Sequence, residues 1–484
     1  MLEGMEDDED PYKAFQEKYR SDLAGFTRDC IDWKDKDGFT EYQDEAARRL
    51  VESRRFSMRG PHGLGKTAFA AITVLWFSLT RDGEDWKVAT LASAWRQLTK
   101  FLWPEVHKWS RRVKWDVVGR PPLIDGKELL TMSIKLSSGE AFALASDNHE
   151  FIEGAHADNL LYVFDESKAI PDATWDAAEG AMSVGDVYWL AISTPSAPMG
   201  RFYDIHARKA GYLDWSVLHV TLEMAVNAGR VSQEWADKRR QQWGEKSSIY
   251  LNRVLGMFAA DDADTVITLA MVERSVERWQ ALNDAGQFGM MDSVGADIGR
   301  GGDDTAQAYK HGDAISGIEY FHDTDVMQVA GRLSSKMQKN HNLTAVIDVI
   351  GIGAGVVDRL RELGPIADRV HAFVASGRSN MVDKTGELGF INMRSAGWWN
   401  LRELLMDDEI ALPPDDRLIG ELTAPRYVYK SGGKIQVESK ESVKKRIGRS
   451  TDAADAVIMV FMEQFVTEDL SGLGHVEGYT NRWS

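Results

Sequence analysis

The sequence predicts an α/β protein of two domains, and three observations lead to that prediction. After about residue 55, short apolar runs alternate with longer amphipathic ones, which is typical of a parallel sheet with helices on both faces. A glycine-rich turn, Gly60–Thr67, joins the first of these strands to a helix. A second series of strands begins near residue 288, and some of its elements end or start in Asp, which indicates a mixed α/β domain.

Length and composition set the limits within which these motifs are interpreted. The 484 residues exceed one ordinary core, and 43% hydrophobic with 27% charged residues is usual for a globular chain. No apolar run approaches the ~18 residues of a membrane span, so no membrane association is expected. Cys30 is the only cysteine, which excludes an intrachain disulfide and favours a reducing cytoplasm. The net charge of -18 argues only weakly against nucleic acid, because phosphate contacts need a local basic stripe.

The glycine-rich turn has the spacing G-x-x-x-x-G-K-[ST] of a phosphate-binding P-loop. Gly60, Gly63 and Gly65 are the glycines predicted to let the backbone amides point at phosphate oxygens. Lys66 is expected to reach the β- and γ-phosphates, and the Thr67 hydroxyl to bind Mg²⁺. The fold class predicted for this part is therefore a P-loop NTPase sheet. A chance turn is the alternative, and the strand before and apolar helix after argue against it.

Residues ahead of the P-loop are predicted to be helical and to contact a nucleotide base. Residues 1 to about 36 are predicted to form a helical arm, with a solvated tail up to Pro11 as the alternative for its first part. A helix is expected to start within Phe39–Glu45, where the amide of Gln43 is predicted to bind the adenine edge and Tyr42 to pack against the base.

Two later strands of the first domain end in polar residues. The strand Asn159–Glu166 ends in two carboxylates, as a Walker B element does: Asp165 is predicted to hold Mg²⁺ through water, and Glu166 to polarise the attacking water. The next strand ends at Ser193 and Thr194, whose hydroxyls are predicted to sense the γ-phosphate. A plain turn before Pro195 is the alternative for that pair.

Three Asp-bearing elements characterise the second domain. Asp297 lies in a predicted strand, Asp348 in another, and Asp452 and Asp455 start a helix with their carboxylates on one face. This order of elements is that of an RNase H-like nuclease, in which Asp297, Asp348 and Asp455 are expected to converge on two Mg²⁺ ions, with Asp452 as a further ligand. Each Asp by itself is more often a cap or a surface group.

The predicted boundaries run as follows. A motor domain spans residues 1–262 with a helical lid at about 214–258, a linker spans 263–287, the nuclease domain spans 288–466, and a flexible tail spans 467–484.

The chain also has one concentrated basic stretch, which is predicted to contact the DNA backbone, or else to be a solvated face. Its members are Lys440, Lys444, Lys445, Arg446 and Arg449.

In this order, the P-loop, the Walker B strand, the Ser-Thr-Pro strand and the three Asp elements resemble the large terminase subunit of tailed bacteriophages over nearly the whole chain. The resemblance implies an ATP-driven motor that moves double-stranded DNA into a procapsid and an endonuclease that cuts concatemeric DNA. It implies ATP and Mg²⁺ as cofactors, with Mn²⁺ able to substitute in the nuclease site. It also implies a portal protein and a small terminase subunit as partners, a homo-oligomeric ring when docked, and the host cytoplasm as location.

The sequence departs from that family at two arginine positions. Many large terminases have an Arg inside the P-loop, where this chain has His62, and an Arg-Gly pair ahead of Walker B, where it has Glu153 and Gly154. Arg201 is therefore predicted to be the arginine donated to a neighbouring subunit, with pairing to Asp204 as the alternative. Arg96 and Arg59 are the second and third choices.

Two other functional classes stay open from the residues alone. One is a P-loop helicase or remodeller with a degenerate, non-cutting second domain. The other is an assembly protein that uses ATP only as a conformational switch. Cleavage and steady ATP turnover on DNA distinguish the three.

Overall fold

The structure is a computed structural model, and it describes residues 10–34, 38–145, 156–180, 185–299, 304–322, 325–430 and 433–462. The described residues up to Asp237, together with Tyr250–Ala260, form one compact unit, and Lys238–Ile249 together with the described residues after Ala260 form another. None of the described helices combines the length and the apolar composition needed to cross a membrane.

The first unit is an eight-stranded sheet with helices on both faces. Its strands are β1 (Arg55–Arg59), β2 (Trp86–Ala92), β3 (Leu129–Leu130), β4 (Ser133–Lys135), β5 (Gly139–Ala145), β6 (Asn159–Asp165), β7 (Asp186–Ser193) and β8 (Ser216–His219). Its helices are α1 (Pro11–Tyr19), α2 (Leu23–Cys30), α3 (Glu41–Ser53), α4 (Lys66–Arg81), α5 (Trp95–Gln97), α6 (Trp103–Ser110), α7 (Trp115–Val118), α8 (Asp172–Gly180), α9 (Gly200–His206) and α10 (Leu222–Asn227). A π-helical turn, Leu98–Leu102, joins α5 to α6, and a 3-10 turn, Ser167–Ala169, follows β6.

The order of strands decides which loops meet. The spatial order of the strands is β3-β4-β5-β2-β6-β7-β1-β8. The last six in this order, β5, β2, β6, β7, β1 and β8, are parallel to one another. Strand β7 therefore lies between β1, which leads into the P-loop, and β6, which ends in the Walker B acids. Because carboxyl ends of parallel strands share one edge, the P-loop, Ser193–Thr194 and Asp165–Glu166 are neighbours there.

Side chains that alternate along the strands pack into two separate cores, one on each face of the sheet. In β6, Leu161 and Val163 pack in the core that contains α4, whereas Tyr162 and Phe164 face the other side. There the Phe164 ring stacks on Trp175 at a centroid distance of 4.0 Å. Burial on both faces explains why these strands read as continuous apolar runs.

The N-terminal arm of this unit is helical and packed. Helices α1 and α2 are part of the core, with Phe15, Tyr19 and Phe26 buried, whereas nearly all of the segment for which a solvated tail was the alternative lies outside the described residues. The Trp76 indole fixes this arm by donating to the Tyr19 carbonyl at 2.7 Å. After β2, residues 95–118 form three short helices rather than one, with the π turn between α5 and α6 and with α7 beginning only at Trp115.

The expected lid and linker also need correction. Residues 216–219 form β8 at the edge of the main sheet, followed by α10 and then by α11 (Gln233–Trp243) and α12 (Ser248–Arg253). Most of the expected linker is helix α13 (Leu269–Ala285), because Leu269, Val272 and Ser275 give it a buried face in the second unit.

The second unit is built on a five-stranded sheet of order β11-β10-β9-β12-β13, in which β9, β10 and β11 are antiparallel and β12 runs parallel to β9 and β13. The remaining strands of the unit form a three-stranded sheet of order β14-β16-β15. The strands are β9 (Ser293–Asp297), β10 (Thr305–His311), β11 (Ala314–Phe321), β12 (Thr344–Asp348), β13 (Val370–Phe373), β14 (Gly389–Phe390), β15 (Tyr427–Lys430) and β16 (Lys434–Val437). The helices after α13 are α14 (Val326–Lys339), α15 (Gly353–Arg361), α16 (Met393–Met406), α17 (Asp416–Leu422), α18 (Lys440–Ile447) and α19 (Asp452–Val460), with a 3-10 turn at Ala367–Arg369. The predicted order of three strands, a helix, a strand and a late helix is observed.

Helix α19 lies directly on strand β9, and one glycine makes this possible. A Cβ on Gly295 would meet the carbonyl oxygen of Ala456 at 2.0 Å, far closer than any real contact. The absence of a side chain thus lets α19 bring its first turn, with Asp452 and Asp455, towards the end of β9 at Asp297.

Candidate active sites

The P-loop of the first unit has the conformation that its glycines predict. Gly65 has φ +77° and stands immediately before α4, so the following amides open the helix N-terminus at the turn. The Lys66 ammonium donates to the Pro61 carbonyl at 2.8 Å and to Thr194 Oγ1 at 3.2 Å. Burial lowers the pKa of Lys66 to about 8, against the opposing carboxylates of Glu166 and Asp165.

Gly60 differs from the other two glycines in what it contacts. It does not line the cavity at the P-loop, and a Cβ there would lie 2.7 Å from the Val220 carbonyl. Gly60 thus allows the P-loop to pack closely on the chain after β8. Gly63 has φ +83° and lines the cavity, as do Lys66 and Thr67.

The Walker B acids and the end of β7 form one hydrogen-bonded group. Ser193 Oγ lies within hydrogen-bond distance of Glu166 Oε2, at 3.1 Å, and of the Thr194 carbonyl, at 2.9 Å, while the Thr194 hydroxyl accepts from Lys66. Glu166 has φ +49°, an uncommon backbone conformation for a non-glycine residue, and its N–H bonds to Asp165 Oδ1 at 3.0 Å. Burial and the adjacent Glu166 raise the pKa of Asp165 to about 7.

A cavity of about 770 Å³ adjoins the P-loop and has room for a nucleotide. It is lined by Trp33, Lys34, Phe39, Gln43, His62, Gly63, Leu64, Gly65, Lys66, Thr67, Ala68, Lys100, Phe101, Pro104, Glu105, Lys108, Trp109, Arg112, Glu166, Thr194 and Arg230. Basic groups outnumber acidic ones in this lining, as an anionic ligand requires. Arg230 belongs to it although nothing in the sequence near it indicates a nucleotide.

Gln43 lies at the P-loop, but its amide is already bonded within the protein. Its Oε1 accepts from the Thr40 N–H at 3.0 Å, which completes a capping box at the start of α3, and its Nε2 lies 3.4 Å from the Gly65 carbonyl. Tyr42 is buried and donates to the Leu64 carbonyl at 2.8 Å, so it does not face the cavity. In this conformation both residues support the loop, in contrast to the predicted contact with adenine.

Arg201, predicted to be donated to a neighbouring subunit, is paired with acids of its own chain. It lies in the first turn of α9 and forms ion pairs with Asp176 and, at 3.4 Å, Glu179, with 11% of its side chain exposed. The alternative partner, Asp204, instead pairs with Lys209 at 2.6 Å. Arg201 is absent from the cavity lining, because the two acids of α8 hold it elsewhere.

The second and third choices for that role, Arg96 and Arg59, also contact other groups of the protein. Arg59 donates to the Gly256 carbonyl and lies over the Phe258 ring, and Arg96 lies over Phe101 at 5.5 Å. Glu153 and Gly154 fall outside the described residues.

In the second unit, acids from separate elements surround one lysine. The Lys440 ammonium lies 2.5 Å from Asp297 Oδ2, 3.0 Å from Asp452 Oδ1 and 3.7 Å from Asp455 Oδ2. Asp348 ends the neighbouring strand β12 and accepts from the Ile350 N–H at 3.0 Å. The expectation that Lys440 contacts the DNA backbone is wrong for this conformation, because its charge is directed into the acid cluster.

The electrostatics of this cluster follow from burial and mutual repulsion. Burial, together with the neighbouring acids, raises the pKa of Asp297 to about 7 although Lys440 opposes the rise. Burial also favours neutral Asp455, but Arg394 and Lys440 outweigh it and lower the pKa of that carboxyl. Burial by itself would lower the pKa of Lys440, but the surrounding carboxylates have the larger effect and raise that pKa.

Sequence reasoning missed the side chains that support this cluster. Glu421 is fully buried on α17 and accepts from the amides of Ala453 and Ala454 at 2.8 and 3.2 Å, at the start of α19. Arg417, one turn earlier, bonds to Glu421 at 2.9 Å and reaches Asp452 at 3.4 Å. Arg394 donates to Asp455. A Glu four residues after an Arg was the only signal, and it is too common to single out.

The remaining basic residues face different surroundings. Lys444 and Lys445 are exposed on α18, whereas Arg446 pairs with Glu438 at 2.6 Å. Arg449 donates to the Arg417 carbonyl at 3.0 Å and is half-buried. Only part of the basic stretch therefore presents charge to solvent.

Both sites offer oxygen ligands of the kind that Mg²⁺ or Mn²⁺ prefers. Thr67 and Asp165 supply a hydroxyl and a carboxylate in the first unit, and the four Asp side chains supply carboxylates in the second. Across the described residues, however, no three acidic, His or Cys side chains are placed as a ready metal site. In the second unit the Lys440 ammonium lies among these carboxylates, where its positive charge takes the place of a metal ion.

Comparison with known proteins gives one similar curated sequence. The chain is 23% identical over 442 residues to the probable terminase, large subunit, of Enterobacteria phage P7, covering 85% of each protein. The resemblance to the large terminase subunits is thereby confirmed. No family model matches the chain.

Solved large terminase structures were also found. The large terminase of the thermophilic bacteriophage D6E aligns with a TM-score of 0.41 and 13% identity, covering 89% of this chain and 100% of that one. The nuclease domain of the large terminase subunit gp2 of bacterial virus Sf6 aligns with a TM-score of 0.34 and 20% identity, covering 40% of this chain and 97% of that one.

Proposed function

We propose that this protein is a DNA-packaging motor and nuclease, which hydrolyses ATP in its first unit and cuts DNA in its second. The observation that carries the proposal is the contact of Lys66 with Thr194 and of Ser193 with Glu166 at one sheet edge, in the same chain as the acid cluster around Lys440. A nucleotide-binding protein without hydrolysis would not need Glu166 oriented in this way. Similarity to a large terminase along 85% of the chain supports the same function.

In the ATPase unit, each residue has a role that its position supports. The P-loop amides and Lys66 bind the phosphates, whose negative charge restores the fully charged form of Lys66. Glu166, oriented by Ser193, accepts a proton from the attacking water. Thr67 and Asp165 would hold Mg²⁺, which neutralises charge on the β- and γ-phosphates. Thr194, bonded to Lys66, links the end of β7 to the state of the phosphates.

In the nuclease unit, Asp297, Asp348 and Asp455, with Asp452, would hold divalent cations, which activate water and stabilise the leaving 3′-oxygen. Lys440 holds the acids close together until the cations bind, because its charge offsets part of their repulsion. Arg417 and Glu421 hold the first turn of α19, and Arg394 holds Asp455. The exposed Lys444 and Lys445 contact the DNA backbone.

The proposal includes the partners that the resemblance implies. These are double-stranded DNA, a portal protein, a small terminase subunit and further copies of this chain in a ring, acting in the host cytoplasm. Mg²⁺ is the proposed metal at both sites, with Mn²⁺ able to substitute in the nuclease site.

An ATPase assay and a plasmid-cleavage assay on the full chain test the function. We expect Lys66→Ala to lose ATP hydrolysis and retain cleavage, and Asp297→Ala to do the reverse. Lys135→Ala and Asp358→Asn, at exposed positions of the same two units, are the controls. ATP turnover on DNA without cleavage at any metal concentration would instead identify a remodeller, and binding without turnover an ATP-switched assembly protein.

A further inference from the structure

Arg230 lies beside the P-loop, in a turn that is held by two backbone hydrogen bonds. It lies between α10 and α11, after Gly229 at φ +63°, and its N–H bonds to the Ala225 carbonyl at 3.0 Å. The Val231 N–H bonds to the same carbonyl at 3.4 Å. Two hydrogen bonds to one acceptor hold the backbone of this turn in place, which fixes the Cα–Cβ bond of Arg230 beside the P-loop.

The turn packs against the phosphate-binding glycines. A Cβ on Gly65 would lie 4.0 Å from the Arg230 guanidinium, and a Cβ on Gly63 would lie 3.9 Å from the Arg230 carbonyl. The guanidinium also lines the cavity that contains Lys66 and Thr67. It is therefore next to the position that a nucleotide phosphate takes on a P-loop.

The charge of Arg230 is not matched by an acid. Within the described part of the chain it forms no ion pair, and its hydrogen bond to Gln43 Oε1, at 3.4 Å, reaches a neutral acceptor. Arg201, by contrast, is held by Asp176 and Glu179. The planar donors of a guanidinium suit phosphate oxygens, and no carboxylate of the described residues competes for those of Arg230.

We infer that Arg230 is a nucleotide-binding residue of its own subunit, which donates to a phosphate oxygen of the nucleotide bound at the P-loop. This rests on the proposed ATPase function and adds a ligand that no sequence motif indicates. In this chain His62 occupies the P-loop position where many large terminases have arginine, and Arg230 supplies a guanidinium to the same cavity from another loop.

Calorimetric titration of the full chain with AMP-PNP and with ADP, each with Mg²⁺, tests the inference. We expect Arg230→Ala to raise the Kd for AMP-PNP at least about tenfold, the effect of losing a hydrogen bond to a charged group. Arg230→Lys should recover part of the loss, and the exposed Arg48→Ala should bind as the wild type does. The melting temperature without nucleotide should be equal in all four proteins, since a binding role leaves the empty protein unchanged.

Three outcomes separate the possibilities. Wild-type affinity in Arg230→Ala would overturn the inference. So would a loss of affinity that comes with a lower nucleotide-free melting temperature and no recovery in Arg230→Lys, because that pattern indicates a structural role. Failure of the wild type itself to bind or hydrolyse ATP would refute the proposed function on which the inference rests.

Discussion

At both sites, single side chains join groups that lie far apart in the sequence. Ser193 bonds to Glu166, 27 residues before it, and Lys440 pairs with Asp297, 143 residues before it. In each case the fold brings two polar side chains of different elements within hydrogen-bond distance. The effect of removing one partner is thus measurable in the reaction that the other performs.

Ser193→Ala is expected to lower kcat for ATP about tenfold with little change in KM, because Glu166 loses the hydroxyl that orients it. Steady-state ATP hydrolysis with DNA present measures both constants. Ser167→Ala is the matched control, since Ser167 is buried in the same region but bonds only to the Phe164 and Ile192 carbonyls. An increase in KM with kcat unchanged would place Ser193 in nucleotide binding instead.

Lys440→Ala is expected to tighten Mn²⁺ binding about tenfold or more, because its ammonium no longer competes for the carboxylates of Asp297 and Asp452. Calorimetric titration of the full chain with Mn²⁺ measures this. Lys445→Ala, on the exposed side of the same helix, should leave the metal affinity unchanged and weaken DNA binding modestly. Equal Mn²⁺ affinity in Lys440→Ala and the wild type would contradict the competition.

At the scale of elements, the contact of α19 with β9 determines where the nuclease acids lie. Asp452 and Asp455 are on the first turn of α19, and Glu421 bonds to the amides of that same turn. The helix position therefore depends on both a close backbone approach and a buried acid. Small shifts of α19 displace two carboxylates at once.

Gly295→Ala is expected to cost about 1–3 kcal/mol of stability or more and to lower plasmid cleavage at least tenfold, because its Cβ would overlap the rigid Ala456 carbonyl. Thermal unfolding and cleavage assays check this, with ATP hydrolysis unchanged. Gly317→Ala, in β11 of the same sheet, is the control, since a Cβ there meets nothing within 4 Å. Wild-type cleavage in Gly295→Ala would show that α19 can move without loss.

A second element contact makes the first unit sensitive to acid. His206, at the end of α9, bonds to Ser57 of β1 at 2.9 Å, and burial lowers its pKa from 6.5 to about 3. Below pH 6.5 the unfolded chain takes up a proton that the folded one does not. The contribution of His206 to stability is therefore complete above pH 6.5 and is lost as the pH falls towards 3.

We expect the melting temperature to fall more between pH 7.5 and 5.5 in the wild type than in His206→Gln, which keeps a polar partner for Ser57. The comparison is needed because Asp165, Asp297 and Glu421 have pKa values raised to about 7 and oppose the trend. Thermal unfolding at the two pH values measures the difference. Parallel decreases in both proteins would show that His206 is not the group responsible.

At the scale of the whole molecule, the ion pairs of Arg201 bear on the prediction that one subunit donates an arginine to the next. Its bonds to Asp176 and Glu179 join α9 to α8 within one unit. To reach a neighbouring subunit it would have to give up both acids. The structure therefore favours a role inside its own subunit over the donated role predicted from the sequence.

Mixing Arg201→Ala with wild-type protein is expected to lower DNA-stimulated ATP hydrolysis only in proportion to the mutant fraction. Measurement over a series of ratios at constant total protein checks this. Lys66→Ala is the reference for a subunit that cannot hydrolyse ATP. A decrease steeper than proportional for Arg201→Ala, with normal ATP binding, would restore the donated-arginine prediction.

The sequence by itself determined the elements whose signal is local. The P-loop spacing, the strand ending in Asp165 and Glu166, and the Asp residues at the ends of β9 and β12 follow from periodicity and short motifs, because each depends on neighbours along the chain. The order of elements also predicted both fold classes. The predicted linker failed for a related reason, since the buried face of α13 exists only against the second unit.

Only the tertiary structure decided which side chains meet across these elements. Strand order and loop packing bring together the residues of four such contacts. These are the capping bond of Gln43, the ion pairs of Arg201, the position of Lys440 among the acids, and the position of Arg230 beside the P-loop. A charged side chain pairs with whichever group the fold places within a few ångströms. Its sequence neighbours carry no record of that partner, and so its role was visible only once the chain was folded.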